Sequence, residues 1–66
     1  MNIGDKIVVV NPITSFGDYT QGDTATITGF VEGGDLRVKW MSNILGVDPD
    51  VRLDQLHPEE VELAQD

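Results

Sequence analysis

The stretch TATITGFVEGGDLRVKW, residues 24–40, decides the fold of this 66-residue chain. Residues 24–32 are rich in β-branched side chains, and residues 36–40 alternate apolar and polar side chains as a half-buried strand does. Gly33 and Gly34 between them accept the positive φ angles of a tight hairpin. The stretch therefore predicts two paired antiparallel strands. The side chains expected to face inward are Leu36, Val38 and Trp40, and those expected to face solvent are Arg37 and Lys39.

Outside this hairpin, the chain shows strand signals and almost no helix signal. Gly29 lies near the middle of the second strand, where a missing side chain predicts the bulge or bend that a very small closed sheet requires. The pattern predicts an all-β, five-stranded SH3-like barrel formed by residues 1–64, with 65–66 a polar tail. The remaining segments are a strand at 3–11, a long loop at 12–23, a second loop at 41–50, a short strand at 51–53, a single 3₁₀ turn at 54–58 and a last strand at 61–63.

The composition excludes several classes of protein. There is no cysteine, so the sequence offers no disulfide and no thiolate. Its longest apolar run, residues 7–10, is too short for a membrane span or a signal peptide, and we expect a protein of the cytosol. The chain begins at Met1 and ends in a polar tail, which predicts a complete small gene product.

The charge is strongly acidic and unevenly placed. The chain has 12 acidic and 4 basic side chains, which gives a formal charge of −8. Residues 48–66 contain seven of the acids, and Arg52 is the only base in that range. Binding to a phosphate backbone needs several cations to displace counterions, so nucleic acid and anionic membranes are not expected as partners. We expect a basic protein as the partner, and a monomer or weak homo-oligomer.

Parts of the sequence carry a family resemblance. The turn glycines and core spacing of GDKIVV at 4–9 and GDTATI at 22–27 resemble bacterial SH3-like barrels of the KOW-like kind. With residues 36–40, 52–56 and 61–63, the chain also looks like the small SH3-like barrel found among the accessory proteins of photosystem I. The resemblance covers most of the chain and implies the barrel fold. The inward positions that it implies are Ile7, Val9, Ala25 and Ile27.

The inventory of reactive side chains predicts no enzyme and no cofactor. The sole histidine, His57, lies in a predicted surface turn, and no serine motif or phosphate-binding glycine loop accompanies it. A calcium loop would place ligands at Asp48, Asp50, Asp54 and Glu59, but the glycine that such a loop needs at its sixth position is Leu53. We therefore expect no metal site.

Three aromatic residues suggest a binding surface. In an SH3-like barrel the long first loop lies near the end of the third strand, so Phe16, Tyr19 and Trp40 are predicted to line a shallow groove. The competing interpretation of Trp40 is a cap on one end of the barrel, with its indole N–H near water. Asp18 and the acidic C-terminal third would flank the groove, which suits a basic or proline-bearing protein segment. The predicted partner-binding residues are Phe16, Asp18, Tyr19, Trp40, Asp54, Glu59 and Glu62.

Two other functions remain open at this point. A small acidic barrel can imitate nucleic acid and inhibit a DNA- or RNA-handling enzyme, and compact acidic proteins of this kind are common in phages. Such a mimic needs its carboxylates along one face, where Arg37, Lys39 and Arg52 would interrupt them. The third possibility is a structural part of a larger assembly, with edge strands pairing between copies.

Overall fold

The computed structural model describes residues 1–13, 17–48 and 52–64. They form an all-β structure of five antiparallel strands and one 3₁₀ turn, as the sequence pattern predicts. In chain order the strands are β1 (Lys6–Val9), β2 (Thr24–Phe30), β3 (Leu36–Trp40), β4 (Gln55–Leu56) and β5 (Val61–Leu63), and the 3₁₀ turn is Pro58–Glu60.

The strands form one sheet in the order β4-β3-β2-β1-β5, so β4 and β5 are its two edges. The central hairpin of β2 and β3 is confirmed, with Gly33 and Gly34 both at φ +97°. The predicted irregularity at Gly29 is also confirmed, because the pairing of β2 with β3 shifts register between Ile27 and Gly29. This shift lets the two halves of β2 run in different directions.

A small apolar core lies on the inward side of the sheet. The four inward positions expected in β1 and β2 are all buried, as are Leu36 and Val38 in β3. Arg37 and Lys39 are exposed, as the alternation predicts. Trp40 is only partly buried and packs against the edge of the core. The buried apolar residues are Ile7, Val9, Tyr19, Ala25, Ile27, Leu36, Val38, Leu56 and Val61.

The predicted fourth strand and 3₁₀ turn are each misplaced by a few residues. The sequence predicts the strand at 51–53, of which residue 51 lies outside the described residues, and β4 is found at Gln55–Leu56. Residue 52 is not in a strand, and its arginine side chain forms a buried ion pair with Asp23. The sequence predicts the 3₁₀ turn at 54–58, and it is found at Pro58–Glu60. Proline suits this first position, where its missing N–H leaves no bond unmade.

The first strand is shorter than predicted at both ends, because β1 spans Lys6–Val9 and the predicted strand spans 3–11. Val10 and Asn11 leave β1 and donate their N–H groups to the carbonyl oxygen of Glu60, at 2.8 and 3.0 Å. The start of the long loop is thereby fixed to the turn before β5.

Among the described residues, no helix is long and apolar enough to cross a membrane.

Candidate functional site

In the part of the chain that the structure describes, Tyr19 is a core residue and does not line an open aromatic groove. Its exposed fraction is 1%. Its hydroxyl donates to Oε1 of Glu60 over 2.5 Å, so burial leaves the phenol with a partner. The expectation that Tyr19 is an exposed groove residue is therefore wrong. Phe16, the other loop aromatic, lies outside the described residues.

Glu60 is the acceptor that makes the burial of Tyr19 possible. Its side chain is fully buried, although the sequence groups it with the exposed acids of the C-terminal third. Oε1 also accepts the N–H of Ile13 at 2.9 Å, and Oε2 accepts the N–H of His57 at 2.8 Å. A buried carboxylate is costly unless it is hydrogen-bonded, and these three donors compensate this one. Glu60 is thus a structural acid that joins the long loop to the 3₁₀ turn.

Trp40 is part of a stack rather than an open aromatic surface. Its ring lies 5.2 Å from that of Tyr19, with 29° between the planes, and the guanidinium carbon of Arg52 lies 4.2 Å from the indole centroid. The indole N–H donates to the carbonyl oxygen of Leu53 over 2.7 Å. Stacking and a cation–π contact both use the indole faces. Trp40 therefore anchors the chain around residue 53 and offers little free ring surface.

Arg52, whose guanidinium contacts the Trp40 ring, also forms a buried ion pair with Asp23. Nη2 of Arg52 lies 2.7 Å from Oδ2 of Asp23, and both side chains are almost completely inaccessible. The guanidinium also donates to the carbonyl oxygens of Asp18 and Ser42, at 2.9 and 2.6 Å. A buried pair is stable only when its remaining donors and acceptors are also satisfied. Arg52 therefore connects three loop segments and contributes no positive charge to the surface.

The second loop is fixed to the same ion pair. Oδ1 of Asp23 accepts the hydroxyl of Ser42 at 3.1 Å and the N–H of Ile44 at 3.0 Å, while Oδ2 accepts the N–H of Thr20. Further along this loop, the side chain of Asn43 bonds both the N–H and the carbonyl oxygen of Val47. The carboxylate of Asp23 therefore holds the start of this loop, and the side chain of Asn43 holds its later part at Val47.

Asp18 contributes to the structure around Leu53. Its carboxylate accepts the N–H of Leu53 at 3.2 Å, in addition to the contact of its carbonyl oxygen with Arg52. The side chain is half-buried rather than fully on the surface. Of the predicted site residues, the structure brings together Asp18, Tyr19 and Trp40, and the element that joins them is the segment at residues 52–53.

The remaining predicted site residues are exposed carboxylates along the two edges of the sheet. Asp54 precedes β4, Glu59 lies in the 3₁₀ turn and Glu62 lies in β5. Leu53 and Leu63 in the same stretch are also exposed, at 38% and 54%. We name this set the acidic edge surface, and its residues are Leu53, Asp54, Glu59, Glu62 and Leu63.

A shallow pocket of about 240 Å³ lies beside β4. Nδ1 of His57 lies 2.7 Å from Oδ1 of Asp35, and the side-chain amide of Gln55 donates to the other oxygen of Asp35 over 3.1 Å. Leu53 provides the apolar wall. These lining residues supply no hydroxyl or thiol that a His–Asp pair could activate. In the described part of the chain, no three histidine or acidic side chains gather as metal ligands would.

Sequence reasoning misses three roles in this region, those of Asp23, Arg52 and Glu60. From the sequence, all three are expected to be surface charges, because the sequence alone does not show which ionisable side chains have buried partners. One signal is present. Arg52 is the only base in the acidic C-terminal third, and an isolated base among many acids is a candidate for a specific pair.

Comparison of the chain with known protein families, curated proteins and solved structures found no match.

Proposed function

We propose that this chain is a small, non-enzymatic protein-binding module whose acidic edge surface receives a basic segment of a partner protein. The observation that carries the proposal is the removal of Arg52 and Glu60 from the surface. Without Arg52, the exposed acids of residues 52–64 are accompanied by His57 alone, and His57 contacts Asp35. The carboxylates and leucines that this part of the chain presents at the surface are Leu53, Asp54, Glu59, Glu62 and Leu63.

The chemistry of this surface favours a basic partner with apolar side chains. Asp54, Glu59 and Glu62 attract cations, and charge complementarity of this kind speeds encounter and fixes orientation. Exposed Leu53 and Leu63 supply the apolar area from which most of the binding energy of an interface arises. The bond from Trp40 to the carbonyl oxygen of Leu53 holds that part of the surface in place before binding. Preorganisation lowers the entropy lost on association.

The proposal includes an SH3-like barrel as the scaffold. The strand order β4-β3-β2-β1-β5 places the first and last strands side by side, as in that architecture, and the 3₁₀ turn directly precedes β5. The register shift at Gly29 allows β2 to take part in both halves of the sheet. In such a barrel the chain from β4 to β5 bridges the two edges, which brings the members of the acidic edge surface onto one side.

A pair of glutamate variants tests the binding function. Glu62→Lys and Glu32→Lys make the same charge change at exposed positions, but only Glu62 belongs to the acidic edge surface. A partner purified from the native host with the wild-type chain should be lost with Glu62→Lys and retained with Glu32→Lys. Equal retention by both variants would contradict the proposed surface.

The burial of the Arg52 side chain also supports a second candidate function. Because its guanidinium is buried, Arg52 does not interrupt the exposed carboxylates that an acidic mimic of nucleic acid needs along one face. A mimic would bind the basic channel of a DNA- or RNA-handling enzyme with steep salt dependence, and duplex DNA would displace it. A protein-binding module should instead depend on the leucines, so Leu63→Ser separates the two functions.

A further inference from the structure

The side chains that line the pocket beside β4 have mainly hydrogen-bond acceptors left to offer. Nδ1 of His57 donates to one oxygen of Asp35 at 2.7 Å, and the side-chain nitrogen of Gln55 donates to the other at 3.1 Å. A carboxylate only accepts, so these two bonds fix which atoms remain. The neutral His57 ring carries its proton on Nδ1 and keeps Nε2 as an acceptor, and the Gln55 amide keeps its oxygen.

The charge of this lining is negative. With a neutral imidazole, the carboxylate of Asp35 is the only charged group among the lining residues. Its side chain is 24% exposed, so water screens it only in part. Arg37 lies opposite Gln55 in the pairing of β3 with β4, with Lys39 two residues further along β3, but neither base lines the pocket. The pocket therefore suits a group that carries several donors and a positive charge.

The size of the pocket suits a single side chain. Its volume of about 240 Å³ is below the range of about 300–1,000 Å³ that is typical of pockets for drug-sized ligands. Leu53 forms its apolar wall. Long basic side chains lay their methylene stems on apolar surface of this kind and keep the charged head near water.

We propose that this pocket receives an arginine side chain of the basic segment that binds the acidic edge surface, so the inference rests on the proposed function and names a residue that the partner carries. Leu53 belongs both to that surface and to the wall of the pocket, so a segment that packs on Leu53 lies at the mouth of the pocket. A guanidinium has five N–H donors in one plane, which suits the three acceptor side chains of this lining better than the compact ammonium of lysine.

The lining is held in place by bonds to the rest of the protein. The backbone N–H of His57 donates to Oε2 of the buried Glu60 at 2.8 Å, and the indole N–H of Trp40 donates to the carbonyl oxygen of Leu53 at 2.7 Å. Gln55 belongs to β4, which is paired with β3. Little ordering is therefore needed when an arginine enters, and this favours binding.

Three synthetic peptides test the proposal. Each alternates lysine and leucine, and the central residue is arginine, lysine or citrulline, the uncharged analogue of arginine with the same shape. The arginine peptide should bind with a Kd about tenfold lower than that of the citrulline peptide, the effect of one hydrogen bond to a charged group. Its binding should also shift the NMR signals of the Gln55 side-chain amide and the His57 imidazole.

Asp35→Asn and Glu32→Gln are a matched pair of variants. Each removes one carboxylate close to the central hairpin turn, but Glu32 is exposed and does not line the pocket. The advantage of arginine over citrulline should disappear in Asp35→Asn and persist in Glu32→Gln. Arg37→Gln should strengthen binding of the arginine peptide, because it removes a like charge from the position opposite Gln55.

Three results would overturn the arginine pocket. The first is an equal Kd for the arginine and citrulline peptides, and the second is an equal Kd for the arginine and lysine peptides, which would show a response to charge alone. The third is weaker binding of the arginine peptide by Arg37→Gln, which would assign the pocket to an anionic group.

The same spectra test the proposed function separately. If all three peptides shift Glu59 and Glu62 equally and none shifts Gln55 or His57, the acidic edge surface binds basic segments and the pocket has no part in it. If no peptide shifts Glu59 or Glu62, the proposed function is contradicted, and the arginine pocket that rests on it is contradicted as well.

Discussion

Arg52 and Asp23 are 29 residues apart in the sequence, yet Nη2 of the arginine lies 2.7 Å from Oδ2 of the aspartate in the interior of the protein. The pair connects the end of the long loop to the segment before β4. It also brings the guanidinium over Trp40, whose indole N–H fixes the carbonyl oxygen of Leu53. The position of Leu53, one member of the acidic edge surface, is thus fixed by contacts next to this buried pair.

Removing one member of this pair should strongly destabilise the fold. Asp23→Ala leaves the Arg52 guanidinium buried without its counter-charge, and such a change costs about 3–5 kcal/mol. Urea denaturation followed by Trp40 fluorescence measures the free energy of unfolding. Asp54→Ala is the control, because Asp54 is exposed and its loss should change stability by no more than about 0.5 kcal/mol. Equal stability of the two variants would show that the pair does not hold the loops.

The hydroxyl of Tyr19 should stabilise the buried carboxylate of Glu60. Tyr19→Phe keeps the ring that packs in the core and stacks on Trp40, but it removes one donor to Oε1 of Glu60. The expected loss of stability is about 1–3 kcal/mol, typical of a hydrogen bond to a buried charged group. Thermal unfolding followed by circular dichroism measures it, and an unchanged melting temperature would contradict the assigned role.

Two glycines of the central hairpin should respond differently to alanine. Gly34 has φ +97°, where an L side chain is strained, so Gly34→Ala should destabilise the protein by about 1 kcal/mol. A Cβ at Gly29 would lie 3.9 Å from Cβ of Arg37, an ordinary van der Waals contact, and φ there is not positive. Gly29→Ala should therefore be nearly neutral. The reverse order in chemical denaturation would contradict the described turn.

Local patterns in the sequence predict the hairpin, the bend at Gly29 and the inward positions Leu36 and Val38 of β3, because alternation and turn glycines act over a few residues. The inward positions of β1 and β2 are implied by the family resemblance. The position of β4 is not predictable in this way. It is set by pairing with β3, through Leu36 with Leu56 and Arg37 with Gln55, and these partners are distant in the chain. The burial of Tyr19 is not predictable for the same reason. Its hydroxyl donates to Glu60, which is distant in the chain, and the polar sequence around Tyr19 gives no sign of this acceptor. Phe16 lies outside the described residues, so its predicted role stays a prediction.

The central claim, a basic segment bound at the acidic edge surface, is tested most directly by amide chemical-shift mapping with a synthetic peptide of alternating lysines and leucines. We expect the largest shifts at Asp54, Glu59, Glu62 and Leu63, a weaker affinity for Glu62→Lys, and an unchanged affinity for Glu32→Lys. Shifts confined to other parts of the protein, or an equal effect of the two variants, would contradict it.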